Sequence, residues 1–91
     1  MEPITFAYLQ ELADAKFVFE LVAERRPNGQ GYMLIARTRR GDCVLATNQR
    51  PGPRLFKTLD ALIRQTDKLP IRNVTVIGLD PKLRSLHRSK S

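Results

Sequence analysis

The chain carries one cysteine and one histidine, Cys43 and His87, far apart in the sequence. A cysteine nucleophile needs a base within hydrogen-bond reach and a third group to orient that base, and no such arrangement is legible here. Cys43 stands in a strand-like stretch and reads as a small buried hydrophobe, with a Cys43–His87 pair as the minor, enzymatic alternative. A single cysteine excludes an internal disulfide, and one Cys with one His does not make a metal-ligand set. The acids are equally unpromising: Asp42 falls in a turn, and Asp60 and Asp67 fall on a helix surface, so no pair is placed for acid–base work. Gly29, Gly31, Gly41 and Gly52 mark turns and form neither a phosphate loop nor a dinucleotide fingerprint. The expectation is a non-enzymatic protein without cofactor or metal.

The chemistry the sequence does advertise is cationic. Residues 36–57, ARTRRGDCVLATNQRPGPRLFK, hold five arginines and a lysine against a single acid, Asp42. The formal net charge is +7, and it is segregated: residues 1–24 contain five acids against one lysine, while the other fifteen basic residues all follow. A one-sided positive field steers polyanions. Arg39 and Arg40 stand at a hairpin tip, Arg37 precedes them on the strand, and Arg50, Arg54 and Lys57 follow in a Pro-Gly connector. From such positions guanidinium groups reach phosphates bidentately, and a two-stranded ribbon can enter the major groove, which makes Arg37 a candidate base reader. Lys82, Arg84, Arg88 and Lys90 form an auxiliary basic tail that would add affinity rather than specificity. Nucleic acid is the expected partner, DNA ahead of RNA. The competing readings are a solvated face and a contact with an acidic protein. No surface-aromatic signature of a single-strand binder is visible, because the aromatics fall on apolar stripes and read as core.

Ninety-one residues make one domain, read here as residues 1–80 with a basic tail over residues 81–91. The opening MEPITFAYLQELADAK has no basic segment followed by an apolar one, and no apolar run approaches the roughly 20 residues that span a bilayer. A cytoplasmic protein without a membrane partner is the expectation.

The positioning elements follow from period and punctuation. Pro3 opens an amphipathic helix over residues 3–15, with Ile4, Tyr8, Leu9, Leu12 and Ala15 at helical spacing. KFVFELVAER then alternates, with Phe17, Phe19, Leu21 and Ala23 on one face and Val18, Glu20, Val22 and Glu24 on the other. RRPNGQG is a turn, YMLIART a second strand, RRGD a tight turn and CVLAT a third strand. NQRPGPR is a connector. LFKTLDALIRQTDKLP is a second helix, with Phe56, Leu59, Leu62, Ile63 and Thr66 on its stripe, Thr58 as N-cap and Pro70 as stop. IRNVTVIGL is a fourth strand, and Asp80-Pro81 could cap one more short helical turn. The order α-β-β-β-α-β predicts an α+β domain with a mostly antiparallel four-stranded sheet. The first two strands are apolar on both faces, so the second face calls for a helix or another subunit, and a homodimer is one way to provide it.

A strand ending TRRG, a short strand, then RLFKTLDALIRQ and LPIRNVTV resemble small plasmid and integrative-element proteins known as ParC-type partition-associated proteins, distinct from the topoisomerase subunit of that name. The shared pattern is a basic turn, R-x-F-K-[ST]-L-D-A opening a helix, and a V-x-V strand. It falls on Arg54, Phe56, Lys57, Thr58, Leu59, Asp60 and Ala61, with Val74 and Val76, and the resemblance spans residues 37–79. It implies a role in plasmid maintenance or its regulation, and it brings no catalytic residues.

Overall fold

In the computed structural model, residues 1–78 are described, and all that follows concerns them. Lys82, Arg84, Arg88 and Lys90, His87 and the helical turn expected at Asp80-Pro81 lie outside the described residues. The chain forms β1 (Glu2–Ile4), α1 (Phe6–Asp14), β2 (Val18–Arg25), β3 (Tyr32–Thr38), β4 (Gly41–Leu45), β5 (Leu55–Phe56), α2 (Leu59–Thr66) and β6 (Val74–Ile77). The α+β class holds, with two helices and one sheet. The sheet differs from expectation: it has six strands, and it is mixed. Its order is β1-β4-β3-β2-β6, with β5 pairing β3. The β2-β3-β4 meander is antiparallel, whereas β1 joins β4 and β6 joins β2 in parallel.

Three local features explain the departures. Residues 2–4 leave the expected helix and form β1, with Glu2 opposite Cys43 and Ile4 opposite Leu45. Pro3 lacks an N–H, and an edge strand tolerates that. Helix α1 starts instead at Thr5, whose Oγ1 accepts a hydrogen bond from the Tyr8 N–H at 3.3 Å. Phe56 likewise leaves the second helix for β5, opposite Tyr32, and is buried there. Thr58 then caps α2 as expected, accepting from the Ala61 N–H at 3.1 Å, with Asp60 in the first turn where the helix dipole favours an acid.

The third feature is a register shift in β2. Val18 sits opposite Thr38 but Glu20 sits opposite Arg37, so the strand carries one extra residue between them. That residue resets the alternation. Val18 joins Leu21 and Ala23 in the main core, while Phe17 and Phe19, expected on the buried stripe, are exposed. Tyr8 is exposed as well.

Both helices cover one face of the sheet. Leu9, Leu21, Leu34, Leu45 and Leu62 are fully buried between them, with Ile4, Ala13, Phe56 and Leu69 around the rim. The other face carries Val22, Met33 and Ile35 with Val44, and no helix among the described residues packs on it. None of the described helices is long and apolar enough to cross a membrane.

Candidate nucleic-acid interface

The structure divides the basic residues named from sequence among three places. Arg37 points onto the open sheet face. Its Nη1 lies 3.1 Å from Glu20 Oε1 and its Nε 3.7 Å from Asp42 Oδ1, the two residues beside it in the neighbouring strands. Glu20 Oε2 also accepts from the Thr75 hydroxyl at 2.8 Å. The Thr75 bond first, and the Arg37 bond second, hold the Glu20 carboxyl below its usual value. Arg37 is thus the centre of a four-residue ladder across β4, β3, β2 and β6. A base reader must give up both carboxylates to turn outward.

Arg39 and Arg40 are placed differently. They form the β3–β4 tip, both are exposed, and among the described residues neither has a carboxylate within salt-bridge distance. Thr38 builds the turn: its hydroxyl donates to the Gly41 carbonyl at 2.7 Å and accepts from the Arg40 N–H at 3.1 Å. Gly41 takes φ +121°, which an L side chain rarely adopts. The Arg39 N–H donates to the Phe17 carbonyl at 3.3 Å, tying the tip to the segment that follows α1.

That segment is a Schellman ending. The Lys16 N–H donates to the Ala13 carbonyl at 3.0 Å, and the Phe17 N–H donates to the Leu12 carbonyl at 2.9 Å. Lys16 occupies the left-handed region, at φ 65°. The motif brings the residue after it, Phe17, back onto the last turn of the helix, where Leu12 lies. Phe17, Leu12 and Tyr8 then line a cavity of about 170 Å³ together with Glu2, Thr38, Cys43, Arg39 and Arg40. Two exposed rings and two guanidinium groups without a salt-bridge partner among the described residues therefore share one depression. In its wall, burial first, then Glu2 and Asp42, push the Cys43 thiol above its ordinary value, which disfavours the reactive thiolate.

Arg50, Arg54 and Lys57 do not join the tip. Arg50 is exposed in the connector, and Arg54 stacks its guanidinium 4.6 Å from the centre of the Phe56 ring. Lys57 follows β5, which pairs with the start of β3 at Tyr32 and Met33, whereas the tip follows its end at Thr38. At about 3.3 Å per residue the seven residues of β3 put some 20 Å between them. Arg25 and Arg26, absent from the sequence-based set, lie at the Lys57 end: Arg25 pairs with Tyr32, and the Arg26 N–H donates to the Gly31 carbonyl at 2.7 Å. RRPNGQG read as a turn, and its turn signal hid the two arginines that precede it.

Tyr8 and Phe17 are the other residues that sequence reading missed as functional candidates. The available signal was positional: an aromatic just past the end of a helix, next in space to a basic turn. Among the described residues, no group of His, Cys, Asp and Glu is arranged to hold a metal ion. Compared with known proteins, the chain matches no family model and no curated relative.

Proposed function

We propose that this is a non-enzymatic DNA-binding accessory protein of a plasmid or other mobile element, acting in the cytoplasm in partition, maintenance or their regulation. The observation that carries the reading is the hairpin tip, where Arg39 and Arg40 are exposed and, among the described residues, have no carboxylate within salt-bridge distance, while Arg37, two residues before Arg39, is paired. Guanidinium groups held on a rigid turn dock on phosphates without first breaking an ion pair. Arg50, Arg54 and Lys57, with Arg25 and Arg26 beyond them, extend the positive surface toward the opposite end of the sheet and add phosphate contacts along a long polyanion. The likeness of residues 37–79 to ParC-type partition-associated proteins supplies the mobile-element setting.

Anisotropy of a labelled duplex at about 50 and 200 mM salt tests the reading. Binding that falls steeply with salt and is lost in Arg39→Ala/Arg40→Ala supports it. No binding at the lower salt refutes it.

A second reading rests on the open sheet face. Among the described residues no helix covers Val22, Met33 and Ile35 there, and Leu55 and Ile77 are exposed, 43% and 39%. A protein contact on this face, including a homodimer, would be apolar and nearly indifferent to salt. Light scattering on the eluting protein separates the two: a stable dimer that persists at high salt favours the second reading.

A further inference from the structure

We infer that the depression between Tyr8, Phe17 and the β3–β4 tip is a binding site for an unpaired nucleobase, with Arg39 and Arg40 holding the adjoining phosphates. This rests on the nucleic-acid reading of the tip and goes beyond it, because it assigns the preferred form of the nucleic acid as single-stranded. Phosphate docking alone requires only the arginines. It does not explain two exposed aromatic rings, Tyr8 at 51% and Phe17 at 42%, lining the same cavity. Large aromatics left in water at one place on a small protein mark a surface that something else covers. Here the charge beside them states what that something carries.

The local architecture suits the task. The Phe17 backbone is held by the hydrogen-bonded end of α1, and the Arg39 N–H donates to the Phe17 carbonyl, so the segments that carry the ring and the cation are joined through the main chain. The cavity, about 170 Å³, is open at the surface and of the order a single base needs. Its apolar part, Tyr8, Leu12 and Phe17, offers π-faces and a hydrocarbon wall to a base of any sequence. Glu2 lies in the same wall. A carboxylate only accepts hydrogen bonds, so it repels phosphate and receives the N–H edge of a base. The lining therefore offers Arg39 and Arg40 to phosphate and Glu2 to the edge of a base. In a duplex the base is stacked inside the helix and must be unpaired and unstacked before it can enter, whereas in a single strand it is already available.

The test uses the full chain and one labelled oligonucleotide of mixed sequence, offered as a single strand and as a duplex, with Phe17→Leu and Tyr8→Leu beside wild type. Single-strand affinity about tenfold above duplex affinity is expected, with each variant losing about tenfold on the single strand and less than about twofold on the duplex. The chain has no tryptophan, so Phe17→Trp supplies a reporter whose emission is quenched by a stacked base and is unaffected by phosphate docking alone. Equal affinity for both forms, or variants that bind the single strand like wild type, overturns the base site and leaves the DNA reading standing. Binding to neither form refutes both. An RNA strand of the same sequence identifies the sugar, and tighter binding there keeps the base site while making RNA its source.

Discussion

Leu34 and Ile35 are neighbours on β3, both well buried, and they face opposite worlds. Leu34 is sealed between the sheet and two helices, with Leu9, Leu21, Leu45 and Leu62 around it. Ile35 lies on the face that no helix covers among the described residues, and it is buried beside Val22, Met33 and Val44. A shallow depression there is lined by Met1, Glu20, Val22, Glu24, Arg37, Asp42, Thr75 and Ile77. One face is covered by helices; on the other a thin apolar row stays open beside a polar canopy, the Asp42–Arg37–Glu20–Thr75 ladder. The same contrast governs the arginines. Arg37 belongs to the canopy and is held by its cross-strand neighbours, whereas Arg39 and Arg40 lie beyond the last ladder pair, Thr38 with Gly41, where the sheet offers no opposing carboxylate. Residue type is identical; position relative to the ladder decides which arginines have charge to offer a ligand.

The sharpest way to break the comparison is truncation on either side of β3. Leu34→Ala should cost about 3 kcal/mol or more, because the helices cannot collapse onto the vacated volume. Ile35→Ala should cost about 2 kcal/mol, the low end for such a change, since mobile side chains and water can fill in from above. Urea denaturation of both variants gives the ordering, and equal costs would mean that the open face is covered in solution. Next in size is binding. Arg39→Ala/Arg40→Ala should lower DNA affinity about tenfold or more at low salt and flatten the log–log salt slope by about 2, while Arg37→Ala stays within about twofold of wild type. A loss in Arg37→Ala as large as in the double variant would show that the ladder opens on binding.

The smallest effect concerns acid. The Glu20 carboxyl is depressed below its ordinary 4.5 in the folded state by Thr75 and Arg37. A depressed carboxyl contributes stability that is present above the unfolded pKa and disappears as pH falls through the folded one. Glu20→Gln should therefore lower stability slightly at neutral pH and lose less than wild type below about pH 4.5. Denaturant midpoints from neutral pH down to about pH 3 measure this, and parallel curves for the two proteins would remove Glu20 from the ladder's energetics.

The central meander was legible because its signals are local. PNG and RRG punctuate the chain, the strands between them are rich in β-branched and apolar residues, and Thr58 announces α2 three residues before the N–H it caps. What stayed hidden depends on partners distant in sequence. Three residues ahead of a helix cannot be read as a strand when the pairing that makes them one, Glu2 with Cys43, lies on the far side of the meander. Phe56 has helical spacing to Leu59 and Ile63, and only its place opposite Tyr32 draws it into β5. The extra residue in β2 has no sequence mark, yet it reverses the alternation for everything before it. Together with the helix ending that precedes it, that shift leaves Phe17, expected in the core, exposed, and Tyr8 on α1 is exposed independently of it.

The two parallel strands at the sheet edges also set a timetable. The β2–β3–β4 hairpins bring together residues close in sequence, whereas β1 must find β4 and β6 must find β2 across most of the domain. Loop closure makes local pairing fast and distant pairing slow, so the meander should form first and the margins last. Of the described strands, β6 comes last in the chain. Until Val74–Ile77 arrives, the long strand β2 offers an unpaired backbone row to any neighbouring chain, and a nascent copy stalled at that point is primed to pair with another.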